Sequence, residues 1–496
     1  MEEVLNKFLF ITSLILLSSI FLSKSSSRFG LPILILFLFM GMIAGSEGLG
    51  GIQFENYELT HTLSLIAMCL IIFNGAVETK LKDVKPILVS GTLLSTLGIL
   101  FTALFVGYFT FLITPLSLEQ SLLVGTTLSA TDAASVFAAF KDKKAQVRRK
   151  VKNLLVFESG SNDPMAYFLV TLLVGYINLG GDQIKQSLIL LVVNPLVGMF
   201  IGWMLANLFI KVNNRINLEY LGLYPALTLA FLFLCYSMTT ILYGNGFLSV
   251  YIFGLLAGNQ RILHKNVLYT FYDGLSWIAQ IGLFVMLGLL VFPSRLVTVA
   301  PKGILIALFL IFIARPIVVY LFLWRTKFNN KEKFFISWAG LKGATPIVFA
   351  CFVATHFGEK ANSLFDIVFF VVLASALIQG SSLKWVARKL ELLFETIEDP
   401  NFPVDIDLIE KTKNGIIQYR IRKKDYAHEK RIIDLKFPKG TKVLFLKRSG
   451  QFIIPDGATV LLAGDNALVV TNNKDEINEA IEHLQVEPEA TPILNT

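Results

Sequence analysis

Long apolar runs separated by short polar connections fill this chain up to about residue 392. Most runs are about 18 to 25 residues long, which is enough for an α-helix to cross a hydrocarbon core of about 30 Å. We place them at 5–23, 30–45, 61–78, 86–113, 119–139, 153–177, 185–210, 221–243, 246–258, 270–292, 302–325, 334–356 and 364–390. The pattern predicts an α-helical polytopic membrane protein with about thirteen transmembrane helices.

Composition supports a membrane location. Hydrophobic residues make up 54% of the 496 positions and charged residues only 16%, and the mean hydropathy is +0.64. A soluble domain of this size has too little surface to hide so much apolar material. Cys69, Cys235 and Cys351 all lie inside apolar runs, so we interpret them as core residues and expect no disulfide.

The first run, 5–23, has the length of a secretory signal as well as of a helix. Its leading end carries Glu2 and Glu3 instead of a basic cluster, and no small-residue cleavage site follows before Lys24. We therefore interpret this run as a transmembrane helix.

Basic residues are concentrated in alternate connections between the runs. These connections hold Lys24 and Arg28, Lys80 to Lys85, Lys141 to Lys152, Lys211 and Arg215, Arg261 and Lys265, and Arg325 to Lys333. Because such connections stay in the cytoplasm, we expect the amino terminus outside the cell and the carboxyl terminus inside it. The net charge of +8 then reflects topology and contact with anionic lipid, and no nucleic-acid partner is expected.

The composition changes after residue 392, which divides the chain into regions. Residues 1–392 form the membrane part, and 393–405 is an acidic, proline-containing linker. Residues 406–485 are predicted to form a small cytoplasmic α+β domain, and 486–496 a disordered tail. The predicted strands are Gly415–Ile421, Lys442–Lys447, Gln451–Ile454, Val460–Leu462 and Ala467–Val470, followed by a helix at Asp475–Leu484.

Five ionisable residues lie within the apolar runs and indicate the functional class. They are Asp132, Glu158, Asp163, Arg315 and Lys342. An ionised group at membrane depth costs a few kcal/mol or more, so such groups are rare and usually line a pathway for ions or protons. The sequence therefore favours a transporter.

The acidic residues lie in two neighbouring runs. Thr131 and Asp132 stand among small residues, where a helix can unwind beside a polar cavity. In the next run, Ser159 and Asp163 share one helix face, and Glu158 and Asn162 share another. Pro164 cannot donate to the carbonyl of Gly160, so that oxygen is a candidate cation ligand beside Asp163. Alkali cations prefer such oxygen ligands.

Two basic residues farther along the chain complete the charge pattern. Arg315 lies in the middle of one run, and Lys342 lies in a second run interrupted by glycine and proline. With all five groups charged, three acids and two bases leave a site charge of −1. One cation or one proton neutralises that charge, and competition between the two is the minimal basis for exchange.

The interrupted runs also suggest an internal symmetry. An offset of seven runs pairs the fifth with the twelfth, and an odd offset predicts an inverted repeat. Two broken helices that cross at mid-membrane point their half-helix ends at each other. Asp132 would then balance the positive ends, and Lys342 the negative ends.

These residues resemble a known family. Thr131-Asp132, followed by Asn162-Asp163 with Phe157-Glu158-Ser159 just ahead, is similar to the monovalent cation/proton antiporters of the Thr-Asp/Asn-Asp branch. The segments 41–51, 272–282 and 314–316 resemble its bacterial potassium/proton antiporter group. Residues 432–470 resemble the TrkA-C (RCK-C) domain that many members of this group carry.

The resemblance implies roles for particular residues. Asp163 would bind the cation or the proton alternately, with the alkali cation at Asp163. The other members of the ion-binding set would be Ser159, Asn162, Thr131 and Asp132. Glu158 and Arg315 would form a structural ion pair, and Asp132 would balance the helix crossing. Lys342 stands where many members have arginine, and Asn74 stands where many have an acid. Homodimers are typical of the family, and some of its TrkA-C domains bind a nucleotide or an ion. No cofactor is expected.

We therefore expect electroneutral exchange of one proton for one K⁺ or Na⁺ by alternating access. Burial favours the protonated carboxyl and a bound cation favours the carboxylate, so each ion displaces the other. Two other classes stay open: a gated monovalent cation channel, although no filter-like loop is visible, and an ion- or nucleotide-responsive membrane sensor. An enzyme is not expected, because the five histidines are scattered and no nucleophile or metal constellation occurs.

Overall fold

The computed structural model describes residues 33–138, 140, 146–179, 184–394, 415–423, 425–438, 440–448, 451–471 and 477–485, together with 13, 14, 17, 18, 20 and 21. The chain divides into two compact units, Met1–Glu395 and Thr396–Thr496. The tail at 486–496 and most of the helix predicted at 5–23 and of the linker at 393–405 lie outside the described residues. Leu393–Phe394, the first two linker residues, pair with Gln146–Val147 as short antiparallel strands.

The first unit is built from helices that follow the predicted runs. They are α1 (Ile33–Ala44), α2 (Tyr57–Glu78), α3 (Leu81–Ile113), α4 (Leu118–Thr127), α5 (Ala133–Ala138), α6 (Arg149–Leu179), α7 (Ile184–Arg215), α8 (Leu223–Ile241), α9 (Gly246–Asn259), α10 (Lys265–Leu289), α11 (Pro293–Phe322), α12 (Asn330–Trp338), α13 (Thr345–Phe357) and α14 (362–389). Within the described residues, seven helical segments are long and apolar enough to cross a membrane. The helical membrane class is confirmed, whereas this count does not establish thirteen spans.

Side-chain caps fix several helix starts. Ser117 and Gln120 form a capping box at α4, and Asn329 and Glu332 form another at α12. The side chain of Asn245 accepts a hydrogen bond from the third residue of α9. Each cap satisfies backbone N–H groups that the first turn of a helix leaves unpaired. These local sequences therefore explain where the helices begin.

The first break predicted from the sequence separates α4 from α5. The hydroxyls of Thr126, Thr127 and Ser129 donate to carbonyls of the preceding turn at 2.9, 2.8 and 2.7 Å. Such bonds compete with the helical ladder. The chain is unwound from about Leu128 to Asp132.

The second break separates α12 from α13. It contains Gly340 and Gly343, and Pro346 stands in the first turn of α13, where a missing N–H costs nothing. Both broken helices expected from the sequence are therefore present. The inverted-repeat relation between them stays a prediction.

Glycines let α3 and α4 pack closely. A Cβ on Gly125 of α4 would lie 2.6 Å from the backbone nitrogen of Gly107 in α3, and a Cβ on Gly107 would lie 2.9 Å from Cα of Leu122. Small residues at such a crossing are typical of membrane helices, because dispersion contacts between backbones drive their association.

The second unit is a four-stranded antiparallel sheet with one helix. The sheet has the order Gly415–Arg420, Asn466–Thr471, Lys442–Arg448, Gln451–Ile453, with a register shift between Val443 and Phe445. The helix Ile477–Gln485 follows the last strand, and Leu446, Leu461, Val469 and Leu484 are among its buried core residues. The α+β prediction holds for these described residues.

One strand prediction in this unit was wrong. Val460 forms only an isolated bridge with Arg431, so Val460–Leu462 is not a strand. Asp465 explains this geometry: its carboxylate accepts hydrogen bonds from the backbone of Leu462 and from Arg448. A side chain that binds backbone three residues away favours a turn over a strand ladder.

The glycine packing predicts different effects of two alanine substitutions on the thermal unfolding temperature. Gly125→Ala should lower the thermal unfolding temperature, because the added Cβ meets backbone. Gly282→Ala should leave it unchanged or raise it, since a Cβ there meets nothing within 4 Å and alanine favours a helix over glycine by about 0.5–1 kcal/mol. Unfolding of the purified variants in detergent measures both effects. A Gly125→Ala protein as stable as the unchanged one contradicts the packing argument.

Candidate functional site

The two interrupted spans meet at their breaks. The backbone N–H of Asp132 in the first break donates to the carbonyl of Leu341 in the second at 2.8 Å. In return, the ammonium of Lys342 donates to the carbonyls of Ser129 and Ala130 at 3.2 and 2.9 Å. Unwound backbone at membrane depth needs such partners, because lipid supplies none. The breaks therefore satisfy each other.

Two charged side chains lie at opposite ends of the half-helices. Lys342 is 1% exposed, and the carbonyls that it binds follow the carboxyl end of α4, the negative end of that helix dipole. The carboxylate of Asp132 lies beside Gly343, just ahead of the amino end of α13. Each charge thus has the sign that stabilises the helix end next to it.

The helix α6 presents two different polar faces. Ser159 and Asp163 line a cavity, whereas Glu158 and Asn162 are fully buried in protein. This is the division of faces that the spacing of the four residues predicts. The helix continues through Pro164.

Ser159, Asn162 and Thr131 join α6 to the first break. The hydroxyl of Ser159 donates to the carbonyl of Thr131 and accepts from the N–H of Ala133, both at 3.1 Å. The amide nitrogen of Asn162 donates to the hydroxyl of Thr131 at 2.6 Å. These bonds place the carboxylate of Asp163 next to the unwound chain.

Asp163 has unused hydrogen-bonding capacity. Its Oδ2 accepts a hydrogen bond from the hydroxyl of Thr345 at 3.3 Å. Its Oδ1 is buried, and no donor among the described residues reaches it; the same holds for Oδ1 of Asn162. An oxygen with free lone pairs beside a cavity, as Oδ1 of Asp163 is, is suited to a hard cation or to a proton.

The cavity measures about 520 Å³ and connects this site with one end of the helices. Asp132, Ser159, Asp163 and Thr345 line its inner part. Lys152, in the first turn of α6, also lines it, and Asp163 is about 16 Å farther along the helix at 1.5 Å per residue. The cavity therefore runs from the start of α6 to the carboxylate.

Glu158 and Arg315 lie side by side behind the cavity. Nη2 of Arg315 is 2.6 Å from Oε1 of Glu158, and the side chains are 2% and 1% exposed. Gly340 leaves room for the guanidinium, since a Cβ there would lie 2.7 Å from Nε of Arg315. The ion pair thus joins α6 and α11 next to the second break.

Several polar residues of this region were not predicted from the sequence. Thr345 binds Asp163. Ser375 on α14 accepts from the N–H of Lys342 at 3.2 Å and donates to Gln379 at 2.5 Å, and Gln379 donates to the carbonyl of Trp338 at 2.8 Å. Their signal was visible: Ser375 and Gln379 are polar residues four apart in an apolar run. Asn74, singled out as a departure, lines the cavity and donates to Ser276 at 3.1 Å.

The buried ion pair predicts a non-additive effect on stability. Arg315→Met should destabilise the fold by about 3–5 kcal/mol because it leaves Glu158 buried without its partner, and Glu158→Gln combined with Arg315→Met should recover part of the loss. Thermal unfolding of the single and double variants in detergent measures this non-additivity. The exposed pair Lys331–Glu391, 2.6 Å apart, provides the control: Lys331→Ala should change nothing measurable. If the double variant is destabilised as much as Arg315→Met alone, this interpretation is wrong.

Comparisons with known proteins find antiporters that resemble this chain in sequence. A family model described as sodium/hydrogen exchanger, transmembrane, matches residues 13–389, and a TrkA-C domain model matches residues 416–485. The K(+)/H(+) antiporter NhaP of Alkalimonas amylolytica is 34% identical over 475 residues, which cover 95% of this chain and 82% of that protein. The K(+)/H(+) antiporter NhaP2 of Shewanella oneidensis is 33% identical over 479 residues, with the same coverage.

The fold also matches solved structures. The sodium proton antiporter MjNhaP1 from Methanocaldococcus jannaschii at pH 8 aligns with a TM-score of 0.68 at 24% identity, covering 78% of this chain and 99% of that chain. The resemblance expected from the motifs is confirmed. The protein is therefore a transporter and not an enzyme. This chain belongs to the transmembrane sodium/hydrogen exchanger family.

Proposed function

We propose that this protein exchanges a monovalent cation for a proton by alternating access, with Asp163 as the group that binds either ion. The observation that carries the proposal is the position of this carboxylate: it lines a cavity where two broken helices cross, and one of its oxygens has no donor among the described residues. Permanent pairing with a base would leave no place for an ion.

The ligand set combines several kinds of oxygen. Asp163, Ser159 and Thr131 supply carboxylate and hydroxyl oxygens, Asn162 supplies an amide oxygen, and Asp132 adds negative charge. Hard alkali cations take such ligands. Because two relatives are named K(+)/H(+) antiporters, we propose K⁺ as the first candidate, with Na⁺ as the alternative.

Charge balance supports an electroneutral exchange. Glu158 and Arg315 neutralise each other, which leaves Asp132 and Asp163 against Lys342 and a net charge of −1. One K⁺ or one proton brings this site to neutrality, and both together exceed it. Two ions that compete for one charge exchange without net charge movement.

The cavity supports an inward-open state. Lys80, Asp83 and Lys152 line it, and they lie in or beside the lysine-rich connections that the positive-inside rule places in the cytoplasm. We propose accordingly that the chain lies in a bacterial plasma membrane with its amino terminus outside and its second unit inside.

We propose that residues 1–392 perform the exchange, that 393–405 is a linker and that 406–485 regulate it. The TrkA-C match over residues 416–485 supports a regulatory domain for which a nucleotide or an ion is the candidate ligand. A homodimer is part of the same proposal, and crosslinking in native membranes tests it. A chain that ends at residue 392 should exchange ions but lose its response to such a ligand.

The two departures from the family pattern affect selectivity. Lys342 binds two carbonyls as a compact point charge, which an arginine fork would not do in the same way. Asn74 provides the cavity with an amide in place of a carboxylate, so one negative charge that many relatives have is missing near the ion path. We propose that both changes set cation preference and pH dependence.

Asp163→Asn should abolish cation-dependent proton movement, because an amide neither ionises nor binds a proton in this range. Proteoliposomes with a pH-sensitive dye, supplied in turn with K⁺, Na⁺, Li⁺ and Rb⁺, measure the exchange. Glu119→Gln, which removes an exposed carboxylate at the start of α4, is the matched control and should keep the full rate. Unchanged exchange in Asp163→Asn contradicts the proposal, and unitary currents in a bilayer point to a channel instead.

Competition also predicts how pH changes the apparent affinity. At pH values where the carboxyl is mostly protonated, each unit of acidification should raise the half-saturating K⁺ concentration about tenfold with little change in maximal rate. Initial rates over a grid of pH and K⁺ concentration give both quantities. A maximal rate that falls with a constant half-saturating concentration contradicts simple competition.

A further inference from the structure

The start of α2 is clasped against α13 and α14. The hydroxyl of Tyr57 donates to Oδ1 of Asn362 at 3.5 Å, and its ring meets Phe365 edge-on at 5.4 Å. One turn later, the ring of His61 contacts Phe352 at 5.1 Å. We refer to these five residues as the clasp.

The other end of α2 is open. Asn74 and Glu78, in its last two turns, line the cavity that leads to Asp163. The same helix therefore borders an open path at one end and a closed contact at the other. Alternating access requires that the closed end opens in turn, so the clasp has to separate for an ion to reach Asp163 from the outer side.

Asp366 lies directly behind the clasp. It follows Asn362 by four residues on α14, so both occupy one face, and Asn362 accepts the hydrogen bond from Tyr57. Asp366 is 6% exposed, and none of the described residues donates a hydrogen bond to it. Arg295 of α11 attracts it without an ion-pair contact. Glu55 and Cys351 are the other titratable neighbours of Tyr57.

A carboxylate that is only 6% exposed and has no hydrogen-bond donor among the described residues is costly and needs an explanation. Distant attraction to Arg295 offsets part of the cost. The amide oxygen of Asn362 stays on α14 with Asp366 when the clasp separates, and it is a further ligand for a hard cation. The carboxylate is therefore a buried negative charge on the outer path, behind the exposed carboxylates of Glu55 and Glu359.

We propose that Asp366 is a second binding site for an alkali cation, on the outer path to Asp163, which the clasp covers in this state. The proposal rests on the proposed exchange function and adds a site to it. It predicts an effect on only one side of the membrane. Asp366 contributes to cation binding from outside and not from the cytoplasm.

The test compares K⁺-dependent proton movement in right-side-out and everted membrane vesicles. In Asp366→Asn, the half-saturating K⁺ concentration should rise about tenfold in right-side-out vesicles, a change of about 1.4 kcal/mol, and should stay within about twofold in everted ones. Glu359→Gln, which removes an exposed carboxylate at the same end of α13 and α14, is the control and should change neither.

Asp366→Glu is a second variant, to be used if the Asp366→Asn protein does not fold. It keeps the charge and moves it by one methylene, so a smaller shift confined to right-side-out vesicles is expected. For either variant, a shift on both sides or on neither side overturns the proposal. Failure of the proposed function is recognised separately. The unchanged protein would then show no K⁺-dependent proton movement in either vesicle type, or Asp163→Asn would keep that movement in both.

Discussion

The structure depends on the mutual satisfaction of two unwound segments inside the membrane part. Backbone without a helical partner cannot face lipid, because each unpaired N–H or C=O costs several kcal/mol there. The bond from Asp132 to Leu341 and the bonds from Lys342 to Ser129 and Ala130 remove this cost. Only because each break supplies partners to the other can the chain expose polar groups to a cavity at this depth.

This crossing also determines where the proposed ion site lies. Ser159 is bonded to backbone on both sides of Asp132, and Asn162 is bonded to Thr131. The carboxylate of Asp163 is thus placed by α6 and by the first break together, and Thr345 at the start of α13 binds it from the second. A rearrangement of either break would change the ligands of the ion.

The buried charges form two groups with different surroundings. Glu158 and Arg315 neutralise each other at 2.6 Å in a sealed part of the protein, where a permanent pair holds helices in register. Asp163 lies on another face of the same helix and lines the cavity, and no basic side chain in the described part of the chain forms an ion pair with it. The face of α6 on which a carboxylate lies therefore decides whether it is paired inside the protein or lines the cavity.

The sequence by itself determined the membrane class, both helix breaks, the two faces of α6 and the family. Each follows from a local pattern: apolar run length, glycine and proline interruptions, and helical periodicity. The strand expected at Val460–Leu462 failed because Asp465 and Arg448 bind that segment into a turn, an interaction that local propensity does not contain. Thr345, Ser375 and the covered position of Asp366 also depended on which helices pack together. Contacts between residues far apart in the chain arise from tertiary packing, and only the folded structure could decide them.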